Sequence, residues 1–260
     1  MKEAETARPR VVVVTEGGAH VWALVNALSE RIGPLTVILE KPQSKGELLR
    51  KRARRLGAIQ VAGQFATMLL TRLLRPFSDR QRRRTVQECG LQTQPNPDQQ
   101  IIHVASADSP ECAKAIAAAR ADVVLLNGCR MVSRETLARI ACPVLNFHAG
   151  ITPKYRGMNG GYWALATGDA ENFGSTVHLV DAGVDTGGIM RQVRARPRPG
   201  DTLSTYAMTM ASFSADACAE AIMAVASGNM EILQTDMPSR QWYHPPIWSY
   251  LWTGLTKGVW

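Results

Sequence analysis

The sequence predicts an α/β protein: a doubly wound, mostly parallel sheet that carries a basic helical insert. Three observations predict it. Short β-branched or apolar runs, such as Val11–Val14 and Val123–Leu126, read as strands buried on both faces. Segments with helical spacing alternate with them. The chain has 260 residues, 45% hydrophobic and 20% charged, enough to bury a core without staples. The elements follow in order. Arg10–Thr15 is the first strand, Gly17-Gly18 turns the chain, and His20–Ile32 has a helical apolar stripe (Val21, Leu24, Val25, Leu28). Leu35–Leu39 is a second strand, followed by two or three helices of the insert and a loop marked by Pro95 and Pro97. Ile101–Val104 is a short strand and Ser109–Ala121 an Ala-rich helix. Asp122–Leu126 is a buried strand, and Ser133 caps a helix reaching Ile140. Val144–His148, Ser175–Val180 and Ile189–Val193 are further strands. Thr202–Ser227 reads as one long helix and Met237–Trp260 as an irregular aromatic tail. Ligands in such sheets lie beyond the carboxyl ends of the strands, which directs attention to Leu126 and His148.

The formal charge is +8, unevenly placed. Residues 44–85 hold twelve Lys and Arg against Glu47 and Asp79, a local +10, and the rest of the chain carries −2. Such a concentration fits either a solvated helical face or an anionic partner: lipid headgroups, a nucleotide-linked substrate or RNA. Inside the insert, Leu56–Thr71 has no charge and includes Ile59, Phe65 and Leu69. It is too short and too rich in Gly and Gln to span a bilayer. It reads as an amphipathic helix packed on the body, or as one lying in a membrane interface with basic flanks on lipid phosphates.

The five cysteines are scattered, with no CxxC pair, so they read as reduced thiols and not as a disulfide frame or a zinc site. The charged segment Met1–Arg10 is followed by only four valines, and no run of eighteen apolar residues exists. The expectation is a cytoplasmic protein without a signal peptide, with peripheral membrane contact through residues 44–85 as a second expectation.

The candidate chemistry gathers between Leu145 and Gly188. Strand alternation puts Asn146 and His148 on one face. Lys154, Tyr155 and Arg156 follow in a Pro/Gly loop, able to hold an anionic acceptor or simply to be solvated. Asp185 sits among small residues in Asp181–Gly188, where the backbone can approach a ligand. An amide, an imidazole and a carboxylate suit acyl transfer to an amine. The amide donates to an oxyanion, the imidazole donates or moves a proton, and the carboxylate orients the imidazole. The Gly17-Gly18 turn lacks GxGxxG spacing and a GK[ST] ending. It reads as a tight turn that offers backbone N–H groups to an anion at the helix start. No metal site is expected.

Leu145-Asn146-Phe147-His148, Thr152-Pro153-Lys154-Tyr155-Arg156-Gly157, Gly174-Ser175-Thr176-Val177-His178 and Asp185-Thr186-Gly187 resemble the formyltransferase family. That family includes glycinamide ribonucleotide formyltransferase, the methionyl-tRNA formyltransferase catalytic domain and nucleotide-sugar N-formyltransferases. Ala121–Ser133 resembles the family's strand and folate-pocket loop. The resemblance implies a formyltransferase-like catalytic domain over 1–230, with 44–90 as its insert and 231–260 as a tail. It implies 10-formyltetrahydrofolate as formyl donor and Asn146, His148 and Asp185 as the catalytic set. It places Gly128, Cys129, Arg130, Met131, Val180, Asp181, Gly183 and Val184 around the pterin. The acceptor is then a small-molecule amine, with an amino sugar on a nucleotide or lipid expected, bound with help from Lys154, Tyr155, Arg156, Gly17 and Gly18.

Departures from the family pattern narrow the acceptor. Asp185 follows His148 by 37 residues, one more than the family's spacing, with the extra residue near Asn172-Phe173. The Gly17-Gly18 turn lacks the fuller loop that holds a ribotide phosphate, which argues against glycinamide ribonucleotide. Too little chain follows the core for the tRNA enzyme's β-barrel, although the insert falls where that enzyme has a basic loop. His178 reads as a core or sheet-edge histidine. The aromatic residues Trp242, Tyr243, Trp248, Tyr250, Trp252 and Trp260 read as tail packing, a stacking platform for a sugar or base, or a membrane anchor. The alternatives to amino-sugar formylation are hydrolysis of the formyl-folate, glycinamide ribonucleotide or tRNA formylation, and a non-catalytic member that binds membrane or RNA.

Overall fold

In the computed structural model, which describes residues 8–43 and 45–260, the first strand β1 (Val11–Thr15) is buried along its whole length. It is flanked by β2 (Thr36–Glu40) and β4 (Val123–Leu126), both parallel to it. Its alternate valines feed two cores. Val11 and Val13 pack with α1 (Ala19–Ile32) and α9 (Ala215–Ala226), whereas Val12 and Val14 pack with α5 (Pro110–Ala118). Each fully buried valine or leucine of these layers contributes about 1.5–3 kcal/mol relative to exposure.

Among the described residues the sheet has seven strands in the order β3 (Gln100–Val104), β2, β1, β4, β5 (Val144–His148), β7 (Gly174–Leu179), β8 (Ile189–Arg194). β3, β2, β1, β4 and β5 are parallel, β7 runs antiparallel to β5, and β8, antiparallel to β7, returns to the direction of the parallel strands. The doubly wound, mostly parallel sheet predicted above is therefore the observed architecture. A two-stranded parallel pair joins β6 (Arg156–Gly157) to β9 (Gln241–Trp242).

The insert between β2 and β3 forms three helices: α2 (Lys45–Leu56), α3 (Ala58–Leu73) and α4 (Arg75–Glu88). Gly57, at φ 85°, separates the first two. Leu74 ends α3 and starts α4, with Pro76 in the first turn of α4, where its missing N–H costs nothing. The segment Met1–Ala7, Ser44 and the side chains of Lys45, Glu47, Leu48, Leu49, Arg50 and Lys51 lie outside the described residues. No described helix is long and apolar enough to cross a membrane.

Three expectations need correction. Ser133 does cap a helix, accepting from the Thr136 N–H, but α6 runs only over Arg134–Leu137 and closes in i→i+3 bonds at Arg139 and Ile140. The helix expected over 202–227 is two, α8 (Tyr206–Phe213) and α9. They break at Ser214, whose hydroxyl bonds both Met210 O and Ser175 Oγ of β7, each at 2.7 Å. The tail is not irregular: besides β9 it holds α10 (Ile247–Lys257). Tyr250 and Trp260 pack with Leu70 of α3 and Tyr162 of a helix absent from the sequence reading, α7 (Gly160–Ala166).

Candidate active site

β5 ends at His148 beside the end of β4, the edge where open parallel sheets hold ligands. The antiparallel return of β7 sets His178 directly across from Asn146. The chain then loops over residues 180–188 and brings Asp185 back over this pair. Asp185 adopts φ 50°, a left-handed conformation that aspartate tolerates better than most residues. The loop closes because Gly187 has no side chain: a Cβ there would run into the carbonyl oxygen of Leu179. Gly187→Ala is accordingly expected to destabilise the fold by about 1–3 kcal/mol, read as a lowered midpoint in urea unfolding.

The polar groups form one cluster. Asn146 Nδ2 donates to Asp185 Oδ1 at 3.1 Å and lies 3.1 Å from His178 Nε2. The Gly157 N–H donates to Asp185 Oδ2 at 2.8 Å. His178 Nε2 is 3.3 Å from Oδ1, and His148 Nδ1 is 3.5 Å from Oδ2. His148 Nε2 donates to the Tyr155 carbonyl at 2.7 Å, which leaves Nδ1 on the carboxylate side. His178 Nδ1 donates to Leu179 O at 2.7 Å. Burial pushes the Asp185 carboxyl up, but the facing His148, the His178 hydrogen bond and the Gly157 N–H outweigh it. The carboxyl is held well below the usual carboxylate range. His178, read from sequence as a core or edge histidine, is buried and is also part of this cluster.

The cluster lines a cavity of about 610 Å³, within the size range of small-molecule sites. Gly128, Cys129, Arg130 and Met131 line it, as do Val180, Asp181, Gly183 and Val184. The 128–131 loop is anchored by a residue the sequence reading passed over. Buried Glu40 accepts from the Arg130 N–H at 2.6 Å and the Ala107 N–H at 2.8 Å. The Cys129 thiol is pushed up to about 12, chiefly by burial, which makes it a poor nucleophile. Among the described residues no three His, Cys, Asp or Glu side chains gather as a metal site.

Five expected acceptor contacts lie outside this cavity. Lys154 Nζ pairs with Asp169 at 2.7 Å, and the Tyr155 hydroxyl donates to the same carboxylate at 2.6 Å. Burial, then that carboxylate, pushes the buried Tyr155 phenol up to about 12. Arg156 bonds Val184 O at 2.7 Å and Ser239 Oγ at 2.9 Å, tying the Asp185 loop to the tail. Gly17 and Gly18 form a tight turn at φ 86° and 112°, with the Gly17 N–H taken by Thr15 Oγ1. His20, just beyond, lines the cavity instead. Lys154→Met is therefore expected to leave KM for the acceptor unchanged while lowering Tm by about 2–4 °C, read by steady-state kinetics beside a thermal melt.

The structure adds cavity residues from two remote segments: Arg52, Arg55 and Leu56 of α2, and Gln241, Trp242 and Tyr243 of the tail. Arg52 Nη2 reaches Met158 Sδ at 3.0 Å, and the Arg55 guanidinium lies 5.9 Å from the Tyr243 ring centre. Neither contact neutralises the charge. The charge run of the insert and the aromatic tail were the sequence signals for these residues.

A doubly wound sheet that brings an amide, two imidazoles and a carboxylate together at the floor of such a cavity has the design of a group-transfer site at a carbonyl carbon. The formyl transferase family profile matches residues 10–222, and the chain belongs to that family. It is 31% identical over 107 residues to the methionyl-tRNA formyltransferase of Anaeromyxobacter dehalogenans, covering 41% of this chain and 34% of that protein. The chain spans only 34–42% of the length of the curated relatives it matches. Among solved structures, glycinamide ribonucleotide transformylase 1 from Symbiobacterium toebii is similar with a TM-score of 0.56 at 22% identity, covering 91% of this chain and 94% of that one. A sugar N-formyltransferase from a Shewanella species is similar with a TM-score of 0.55 at 12% identity, covering 90% and 76%. These structural likenesses are likenesses of fold.

Proposed function

We propose that the chain transfers a formyl group from 10-formyltetrahydrofolate to the primary amine of a small anionic acceptor, an amino sugar carried on a nucleotide or lipid. The observation that carries this reading is the Asp185 cluster at the floor of a cavity that also receives two arginines from the insert.

The residues around the cavity suit the folate. Leu126, Met131, Val132, Val180 and Val184 offer apolar surface for a flat ring. Asn127 lines the same cavity with its buried Nδ2 unpartnered within the chain, a donor that a ligand acceptor atom would satisfy. When bound, the folate supplies a carbonyl carbon at the formyl level, open to attack by an amine. Asn146 Nδ2 is placed to donate to the oxygen that gains negative charge, and the His148 imidazole is placed to stabilise the same charge or pass a proton. Asp185 orients both, accepting from Asn146 Nδ2 and facing His148 Nδ1. His178, bonded to backbone on one side, holds Asp185 and Asn146 from the other.

Arg52 and Arg55 support an anionic acceptor, because guanidinium groups pair with phosphate oxygens in a fixed fork. Tyr243 beside them suits stacking on a sugar or base, whereas Trp242 is buried, stacked on Trp163 at 4.5 Å and covered by the Arg240 guanidinium. Hydrolysis of the formyl-folate would need no such contacts. A tRNA acceptor is the second reading, favoured by the sequence match to methionyl-tRNA formyltransferases.

Purified protein with the folate donor, offered nucleotide-linked amino sugars, glycinamide ribonucleotide and charged initiator tRNA in parallel, tests the assignment. Transfer to an amino sugar supports it, and hydrolysis without transfer to any amine refutes it. Arg52→Gln and Arg55→Gln are each expected to raise KM for the acceptor by about 10–100-fold and to leave KM for the folate within about twofold. Equal effects on both substrates would remove the arginines from acceptor binding.

A further inference from the structure

α3 is turned inside out. Its buried face carries Gly63, Gln64 and Thr67 beside one buried apolar side chain, Val61, and neither polar atom of the Gln64 amide has a partner. Its outer face carries Phe65, Leu69 and Leu73, which are 48–69% exposed. A helix on a water-facing surface shows the reverse arrangement.

α10 repeats the inversion. Thr253 and Gly254 are buried with Tyr250, while Trp248, Leu251, Trp252 and Leu255 face outward, 39–78% exposed. Their spacing of i, i+3, i+4 and i+7 makes one continuous stripe. The two stripes are neighbours. The Trp248 ring lies on the backbone of α3 at Gly63, where any Cβ would collide with it. At the corner where α3 meets α4, the exposed Phe77 extends the patch. The neighbouring charge is strongly positive: residues 72–84 hold six arginines against one aspartate, Asp79, which pairs with Arg75 and Arg82. Arg80 and Arg84 share the Phe77 face of α4 by helical spacing.

We propose that the face built by α3, α10 and the start of α4 docks on an anionic lipid bilayer. The leucines and tryptophans enter the headgroup–acyl boundary, and the arginines meet lipid phosphates. Scattered exposed apolar residues need no explanation, but a contiguous two-helix face does. Tryptophan suits the interfacial depth, and basic side chains near an anionic surface add attraction. A second copy fits less well, since a symmetric contact would set like arginine clusters opposite one another. The proposal is independent of the reaction assigned above.

Co-sedimentation of the full chain tests it, using vesicles of phosphatidylcholine alone and of phosphatidylcholine mixed with phosphatidylglycerol. Strong binding to the mixed vesicles, weakened by salt and by omitting the anionic lipid, is the expected result. Leu69→Ser combined with Trp252→Ser is expected to lower the partition coefficient at least about tenfold. Arg80→Gln combined with Arg84→Gln is expected to do so by a similar factor. The arginine pair is exposed, so a retained thermal melt for that variant separates lost docking from lost folding. No sedimentation with anionic vesicles, or equal binding by both variants and the parent, would overturn the proposal. So would a dimer in solution that the Leu69 and Trp252 changes dissociate, or RNA binding through the arginines with no vesicle binding.

Discussion

Asp185→Asn is expected to lower kcat for formyl transfer by about 10³–10⁴ while the protein remains folded. The size follows from what the carboxylate does at once. Its two oxygens accept from Asn146 Nδ2 and the Gly157 N–H and face both His148 and His178. An asparagine keeps the shape and tolerates the left-handed backbone at this position. It turns one acceptor into a donor, however, so a neighbouring N–H loses its partner, and the charge opposite His148 disappears. Carboxylate-to-amide changes beside a catalytic imidazole are of this order when the geometry survives. The effect belongs in kcat, with KM for both substrates nearly unchanged. A loss confined to KM would mean that Asp185 shapes binding and not the reaction.

The same carboxyl gives a pH dependence of definite sign. Its folded-state value lies below the unfolded one, so its ionised form stabilises the fold above the ordinary aspartate range, near pH 4. That contribution is lost as pH falls toward the depressed folded value. The stability gap between parent and Asp185→Asn, measured by urea unfolding, is therefore expected to be widest at neutral pH and to narrow below about pH 4. A gap independent of pH would mean that the carboxyl is not held ionised by its neighbours.

Asn146→Ala is expected to lower kcat by about 10²–10³, with folate binding preserved. Besides removing the amide from the reacting oxygen, it takes a hydrogen bond from Asp185 and a neighbour from His178 Nε2. The double variant with Asp185→Asn should therefore cost far less than the product of the two losses, because residues that act as a unit are not additive. Multiplicative losses would separate Asn146 from the Asp185 cluster.

Much of this fold was readable because the decisive signals are local. Four consecutive valines specify a strand buried on both faces, and Ser109 and Ser133 announce helix starts that each cap a backbone N–H. Asn146 and His148 share a strand face whatever packs around them. The misreadings share a different cause: partners far off in the chain. Lys154 and Tyr155 read as ligand contacts until Asp169 claims both. Nothing near Ser214 marks a break until β7 supplies Ser175 as a partner. His178 enters the cluster only because β7 runs antiparallel to β5. α10 is a different case, since its apolar stripe was present in the sequence but is masked by Pro245 and Pro246 before it, Gly254 within it and Gly258 after it.

The three helices between β2 and β3 supply two cavity arginines, yet Asn146, His148, His178 and Asp185 all belong to β5, β7 and the loop after β7. On the proposed reading, recognition and reaction are thus written in separate stretches of chain. The stretch for recognition is spliced in next to the sheet's outermost strand and packs on the body chiefly through α10 and α8. Exchanging that cassette is a route by which evolution, or an engineer, can redirect the enzyme to a new amine without rebuilding its reactive centre.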